Sequence, residues 1–108
     1  MQIAVEKKDA ALIIRLNGHM GHASMDELNR VFDEWLGKGN QNFIMDMSRL
    51  QYISSAGLRC LFEASTKISN LKGKLFLCGM QPAVRQVFDV SGFTSFFSIY
   101  DTIQKALE

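Results

Sequence analysis

The chain of 108 residues carries 12 basic and 11 acidic side chains for a formal net charge of +1, with 47% hydrophobic and 21% charged residues. That length suits one domain with a real core and leaves no room for two, and the composition is that of a folded globular protein rather than a disordered chain or a coiled coil. Scattered basic residues give no electrostatic footprint for nucleic acid or an anionic membrane, no window approaches the roughly 18 apolar residues of a membrane span, and the N-terminus lacks a leader pattern.

In chain order, Ile3 and Val5 alternate with polar neighbours, "KKDA" turns the chain and "ALIIRLNG" follows, which predicts a hairpin whose second strand ends at Gly18. Ser24 and Glu27 form a capping-box pattern ahead of an apolar stripe at Leu28, Val31, Phe32, Trp35 and Leu36, and Gly37 and Gly39 stop that helix. "FIMDM", Phe43 to Met47, has the length of a strand covered on both faces, save for Asp46. Helical spacing returns at Leu58, Leu61, Phe62, Ser65 and Ile68 until "LKGK" breaks it, and "LFLCG" supplies another buried strand. Pro82 opens a third helix carrying Val84, Val87 and Phe88, Gly92 closes it, "FFSIY" makes a last strand, and Asp101 caps a final helix that buries Ile103 and Leu107. This order predicts an α/β fold over residues 1–108: a single domain with a mixed, mostly parallel sheet, an antiparallel edge strand and about four helices. Cys60 and Cys78 have no metal-ligand spacing and read as reduced, partly buried thiols of a cytoplasmic protein.

Ser54 and Ser55 fall where the third strand turns into its helix, the end of the sheet at which open α/β folds place their functional sites. One of them would serve as an N-cap, worth about 1 kcal/mol, and one cap needs one serine. Local physics leaves open whether the other is an idle loop residue or a functional group. Catalysis has little support. A nucleophile elbow is half formed, with Gly57 after Ser55 but Ile53 before it; His19 and His22 share a loop with no carboxylate beside them; the phosphate-binding pattern GxxxxGK[ST] is absent. Two histidines alone make a weak metal pair, so no catalytic residue, metal or cofactor is expected.

The stretch "FIMDMSRLQYISSAGLRCLFEA" resembles the signature of the STAS family, the sulphate transporter and anti-sigma factor antagonist domains, and within it the free-standing antagonists of bacteria. The likeness joins the apolar strand, Asp46 and Ser48, the pair Tyr52 and Ile53, and the run Ser54 to Leu58; with "LFLCGMQPAVRQVFDVSGF" it spans nearly the whole chain. It implies a STAS fold and a non-enzymatic regulator that binds an anti-sigma factor with serine kinase activity and so frees a sigma factor. The kinase ends the interaction by phosphorylating Ser55, and a phosphoserine phosphatase reverses it. Met20, Gly21, His22, Asp46, Ser48, Ser54, Ala56 and Gly57 are the residues it implies for partner binding or support of the phosphosite, with no nucleic-acid or membrane partner. Two departures are visible: relatives often carry Asp where Ser54 stands, and many have an acid near Gly21. Asp46, costly in a buried strand unless hydrogen-bonded, is expected either to hold the loop that carries the serines or to be a purely structural acid. Two other roles remain for such a chain: scaffold subunit of a signalling assembly of similar domains, or lipid- or nucleotide-binding accessory of a transporter.

Overall fold

The computed structural model describes all 108 residues, in the order β1 (Gln2–Lys8), β2 (Ala11–Met20), α1 (Met25–Gly37), β3 (Asn42–Ile53), α2 (Ser55–Asn70), β4 (Lys74–Cys78), α3 (Pro82–Ser91), β5 (Ser98–Tyr100) and α4 (Ile103–Leu107). The five strands form one sheet in sequence order; β1 pairs antiparallel with β2, and every later pair is parallel. This is the mixed sheet with an antiparallel edge that the element order predicts.

Because the chain steps across the sheet in one direction, crossovers of a single hand must lay α1, α2 and α3 on the same face. The packing agrees. Leu12, Ile14, Leu16, Phe43, Met45, Met47, Leu75 and Leu77 point from the strands into a core shared with Leu28 and Phe32 of α1, Leu58, Leu61 and Ile68 of α2, and Val84 and Phe88 of α3. Phe32 meets Phe43 edge to face with centroids 5.7 Å apart. The opposite face is covered by α4 alone, over a small cluster of Ala11, Ile13, Ile44, Cys78 and Ala106. Further along the strands that face is open, and there Arg15 pairs with Glu6 (2.5 Å) and approaches Asp46 (3.7 Å). The strand read as covered on both faces is therefore covered on both only at its start, which is how it accommodates a carboxylate.

Several element ends differ from expectation for local reasons. The hydroxyl of Ser24 does not cap α1: a single 3-10 turn over His22–Ser24 precedes the helix and leaves Ser24 in helical backbone (ψ −14°), from which its hydroxyl donates weakly to the His19 carbonyl instead. Thr102 rather than Asp101 caps α4, accepting from the Lys105 N–H at 3.1 Å, and within that helix Ala106 is buried while Ile103 and Leu107 are half-buried. Trp35 is also half-buried, with Lys38 over its ring at 4.2 Å. Both β2 and β3 run on beyond the expected ends at Gly18 and Met47, because each supplies the other with a ladder partner as far as Met20 and Ile53.

Candidate functional site at the tip of the sheet

The extra length of β2 and β3 positions the site. The β3–β4 ladder ends at Asp46 opposite Cys78, whereas the β2–β3 ladder continues, with two register shifts, to Met20 opposite Ile53. The two strands thus form an arm that projects past their neighbours, and at its tip β2 leads into α1 while β3 leads into α2. Met20, Gly21 and His22 are brought beside Ser54, Ser55, Ala56 and Gly57 by this pairing, although more than 30 positions separate Met20 from Ser54 in the sequence.

The two serines have different surroundings. Ser54 has extended backbone (φ −85°, ψ 167°) and is bound on every side: its N–H donates to the Met20 carbonyl at 3.0 Å, its hydroxyl accepts from the Gly57 N–H at 3.0 Å, and its carbonyl accepts from the Leu58 N–H at 3.0 Å. Ser54 is thus the N-cap of α2 and the tie between the ends of β2 and β3. Ser55, the first helical residue, is exposed, and its hydroxyl makes no hydrogen bond.

Gly57 explains how the helix comes so close. A Cβ at this position would stand 2.9 Å from Ile53 Cγ1, 3.0 Å from Met20 Cγ and 3.1 Å from Met20 Sδ, so only glycine lets the first turn of α2 settle on the strand ends. Met20 is fully buried beneath it and forms the floor of the site rather than its surface. Gly21 is open: nothing lies within 4 Å of a Cβ there.

Asp46 and Ser48 are not part of this cluster. One Asp46 oxygen accepts from the Ser48 N–H at 3.0 Å and the other faces Arg15, while the Ser48 carbonyl accepts from the Gln81 side chain at 2.9 Å. Asp46 therefore braces the middle of β3, next to the Ser48 carbonyl that ties the strand to the start of α3, and none of its bonds reaches the loop that carries the serines. Six residues of strand intervene between it and Ile53, a separation of about 23 Å when extended. His19 and His22 also part company: His19 lies against Gln51 (3.1 Å) and Tyr52, and His22 lines a groove together with Ser55. No group of three or more His, Cys, Asp and Glu side chains is arranged to hold a metal ion.

Beside Ser55 a groove of about 360 Å³ runs between α1 and α2, lined by His22, Asn29, Ala56, Arg59, Cys60 and Glu63 among others. Cys60 Sγ contacts Asn29 Oδ1 at 3.4 Å, and an ion pair between Lys67 and Asp33 fastens the helices further on. Burial, then Glu63 and Asp26, push the Cys60 thiol up, away from a reactive thiolate. In the sequence Arg59 is marked only by its spacing of four from Ser55, and Asn29 joins the groove only through tertiary packing.

A family model described as "STAS domain" matches residues 2–106. The chain is 35% identical over 106 residues to a Bordetella bronchiseptica protein provisionally named the anti-sigma factor antagonist BtrV, covering 98% of this chain and 91% of that one. It is 28% identical to an anti-sigma F factor antagonist of Paenibacillus polymyxa, covering 99% and 92%. Among solved structures, the anti-sigma factor antagonist SpoIIAA in its unphosphorylated form superposes with a TM-score of 0.85 at 21% identity, covering 98% of this chain and 90% of that one.

Proposed function

Because the chain belongs to the STAS domain family, we propose that it is an anti-sigma factor antagonist of the partner-switching kind: it binds an anti-sigma factor that is also a serine kinase, a sigma factor is released, and phosphorylation of Ser55 ends the binding. The observation that carries this reading is the division of labour between the serines. Ser54 supplies the cap and the strand tie, so the exposed hydroxyl of Ser55 is left free of any structural duty at the tip of the molecule. The names of the relatives supply the class of partner.

Chemically the step is a phosphoryl transfer from ATP held by the kinase. The Ser55 oxygen forms a bond to the γ-phosphorus, the bond from that phosphorus to the bridging oxygen of ADP breaks, and the hydroxyl proton passes to a base on the kinase or to water. The product carries about −1.5 to −2 charges at neutral pH. At a helix N-terminus in water this charge is tolerated, since the first-turn N–H groups and the dipole favour an anion. In a packed interface it must be desolvated or must face partner carboxylates, and about 2.7 kcal/mol of such penalty lowers affinity a hundredfold. A phosphoserine phosphatase restores the free hydroxyl. Gly21, His22, Ser55 and Ala56 form the contact surface in this reading, with Met20 and Gly57 beneath it; Asp46 and Ser48 support it only through β3.

The test is to incubate the protein with a cognate anti-sigma kinase and ATP and to locate the phosphate by mass spectrometry. Ser54→Ala should still be modified and Ser55→Ala should not; phosphate on Ser54, or persisting on Ser55→Ala, contradicts the assignment.

A further inference from the structure

Ser55, Arg59 and Glu63 follow one another at intervals of four along α2, so they stand on one face of the helix with about 5–6 Å between successive Cβ atoms. All three line the groove against α1, where His22 and Asn29 face them. Arg59 is exposed and takes part in none of the ion pairs of the molecule, although Glu63 lies only one turn away. Because Cα–Cβ bonds on a helix tilt toward its N-terminus, a guanidinium at position 59 is within reach of the turn that carries Ser55.

We propose that this groove is a receptor, within the same chain, for the phosphoryl group of phosphorylated Ser55, with the Arg59 guanidinium as principal donor and His22 as a second on the α1 side. The planar fork of arginine matches two phosphate oxygens at once, and an anion four residues N-terminal to a cation is the favourable order on a helix. Arg59 is the one formal cation among the groove's lining residues, with Glu63 a turn further from Ser55 and His22 offering a ring nitrogen as a further donor. Capture would have a regulatory consequence. The phosphate would be folded back onto α2 rather than left in solvent, the free guanidinium would be withdrawn from the surface near the tip, and a phosphatase would have to extract the group before hydrolysing it. The inference rests on Ser55 being the modified residue.

The experiment uses the full chain with phosphoserine incorporated at position 55 during synthesis, so it needs no kinase and stands apart from the test of the proposed function. Phosphorus NMR across a pH titration reads the second ionisation of the phosphate. It should lie lower in the wild-type background than in Arg59→Gln by about 0.5 or more, because a nearby cation favours the dianion; Arg59→Lys should fall between the two. A broad-specificity alkaline phosphatase should release phosphate severalfold faster from the Arg59→Gln protein. Arg59 is exposed, so these variants retain the fold, which circular dichroism verifies. Identical titrations and equal release rates for wild type and Arg59→Gln would overturn the proposal and leave the phosphate free in solvent.

Discussion

Two neighbouring hydroxyls at the start of α2 end in different roles because the backbone is extended at Ser54 and helical from Ser55 onward. Only the extended residue can turn its oxygen back to the Gly57 N–H. Ser54→Ala should therefore lower stability by about 1 kcal/mol, as loss of an N-cap does, whereas Ser55→Ala should stay within about 0.5 kcal/mol of wild type in urea denaturation. The two glycines of the site are separable in the same way. Gly57→Ala gains up to about 1 kcal/mol of helix propensity but forces a methyl group against Ile53 and the buried Met20, an overpacking worth about 1–3 kcal/mol, so a net loss is expected. Gly21→Asp meets no neighbouring atom and has ordinary extended backbone, so the denaturation midpoint should hardly move. At this scale the sequence showed where the serines stand, since an adjacent pair before a helical stripe is a local pattern. It did not show which serine is the cap, a matter of one residue of backbone conformation, nor that Asp46 turns toward Arg15 and Ser48, a matter of which part of the sheet α4 leaves bare.

The elements that matter most are the two long strands and the helices that leave them. Periodicity identified the three long helices, because the stripes at Leu28 and Phe32, at Leu58 and Leu61, and at Val84 and Phe88 all face one core. It missed the last residues of β2 and β3, where polar side chains such as His19, Arg49 and Gln51 alternate with apolar ones in a short arm that is one ladder wide. The capping box before α1 was misleading for a comparable reason: a 3-10 turn inserts itself where the pattern assumes an extended residue. The stripe on α1 is also graded. Phe32 is fully enclosed and Trp35 half-exposed, so Phe32→Ala should cost about 3–5 kcal/mol and Trp35→Ala about half as much. Equal losses in a denaturant series would show that Trp35 is core after all.

Across the molecule, the three-helix face holds the core and the single-helix face is thin, so Cys78 sits sealed beneath α4 with Asp46 and Arg15 at its border. Burial first and Asp46 second push the Cys78 thiol up to about 12, with Arg15 opposing them. A thiol in the unfolded chain ionises near pH 8.5. Above that pH the unfolded state binds fewer protons than the native one, so the stabilisation from the neutral thiol is fully present at lower pH and falls as pH rises, by up to about 1.4 kcal/mol per pH unit for Cys78 until its own ionisation is reached. Urea titrations at pH 8 and 10 should show this decline, and Cys78→Ala should reduce it. No helix is long and apolar enough to cross a membrane, and the projecting arm that carries Ser55 is the part of the molecule best placed to meet a partner. Its role as a switch is tested most directly by calorimetric titration of a cognate anti-sigma kinase with the unmodified protein and with the protein phosphorylated at Ser55, at one salt concentration. The account predicts tight binding of the first and affinity lower by about a hundredfold or more for the second; equal affinities for the two forms would contradict it.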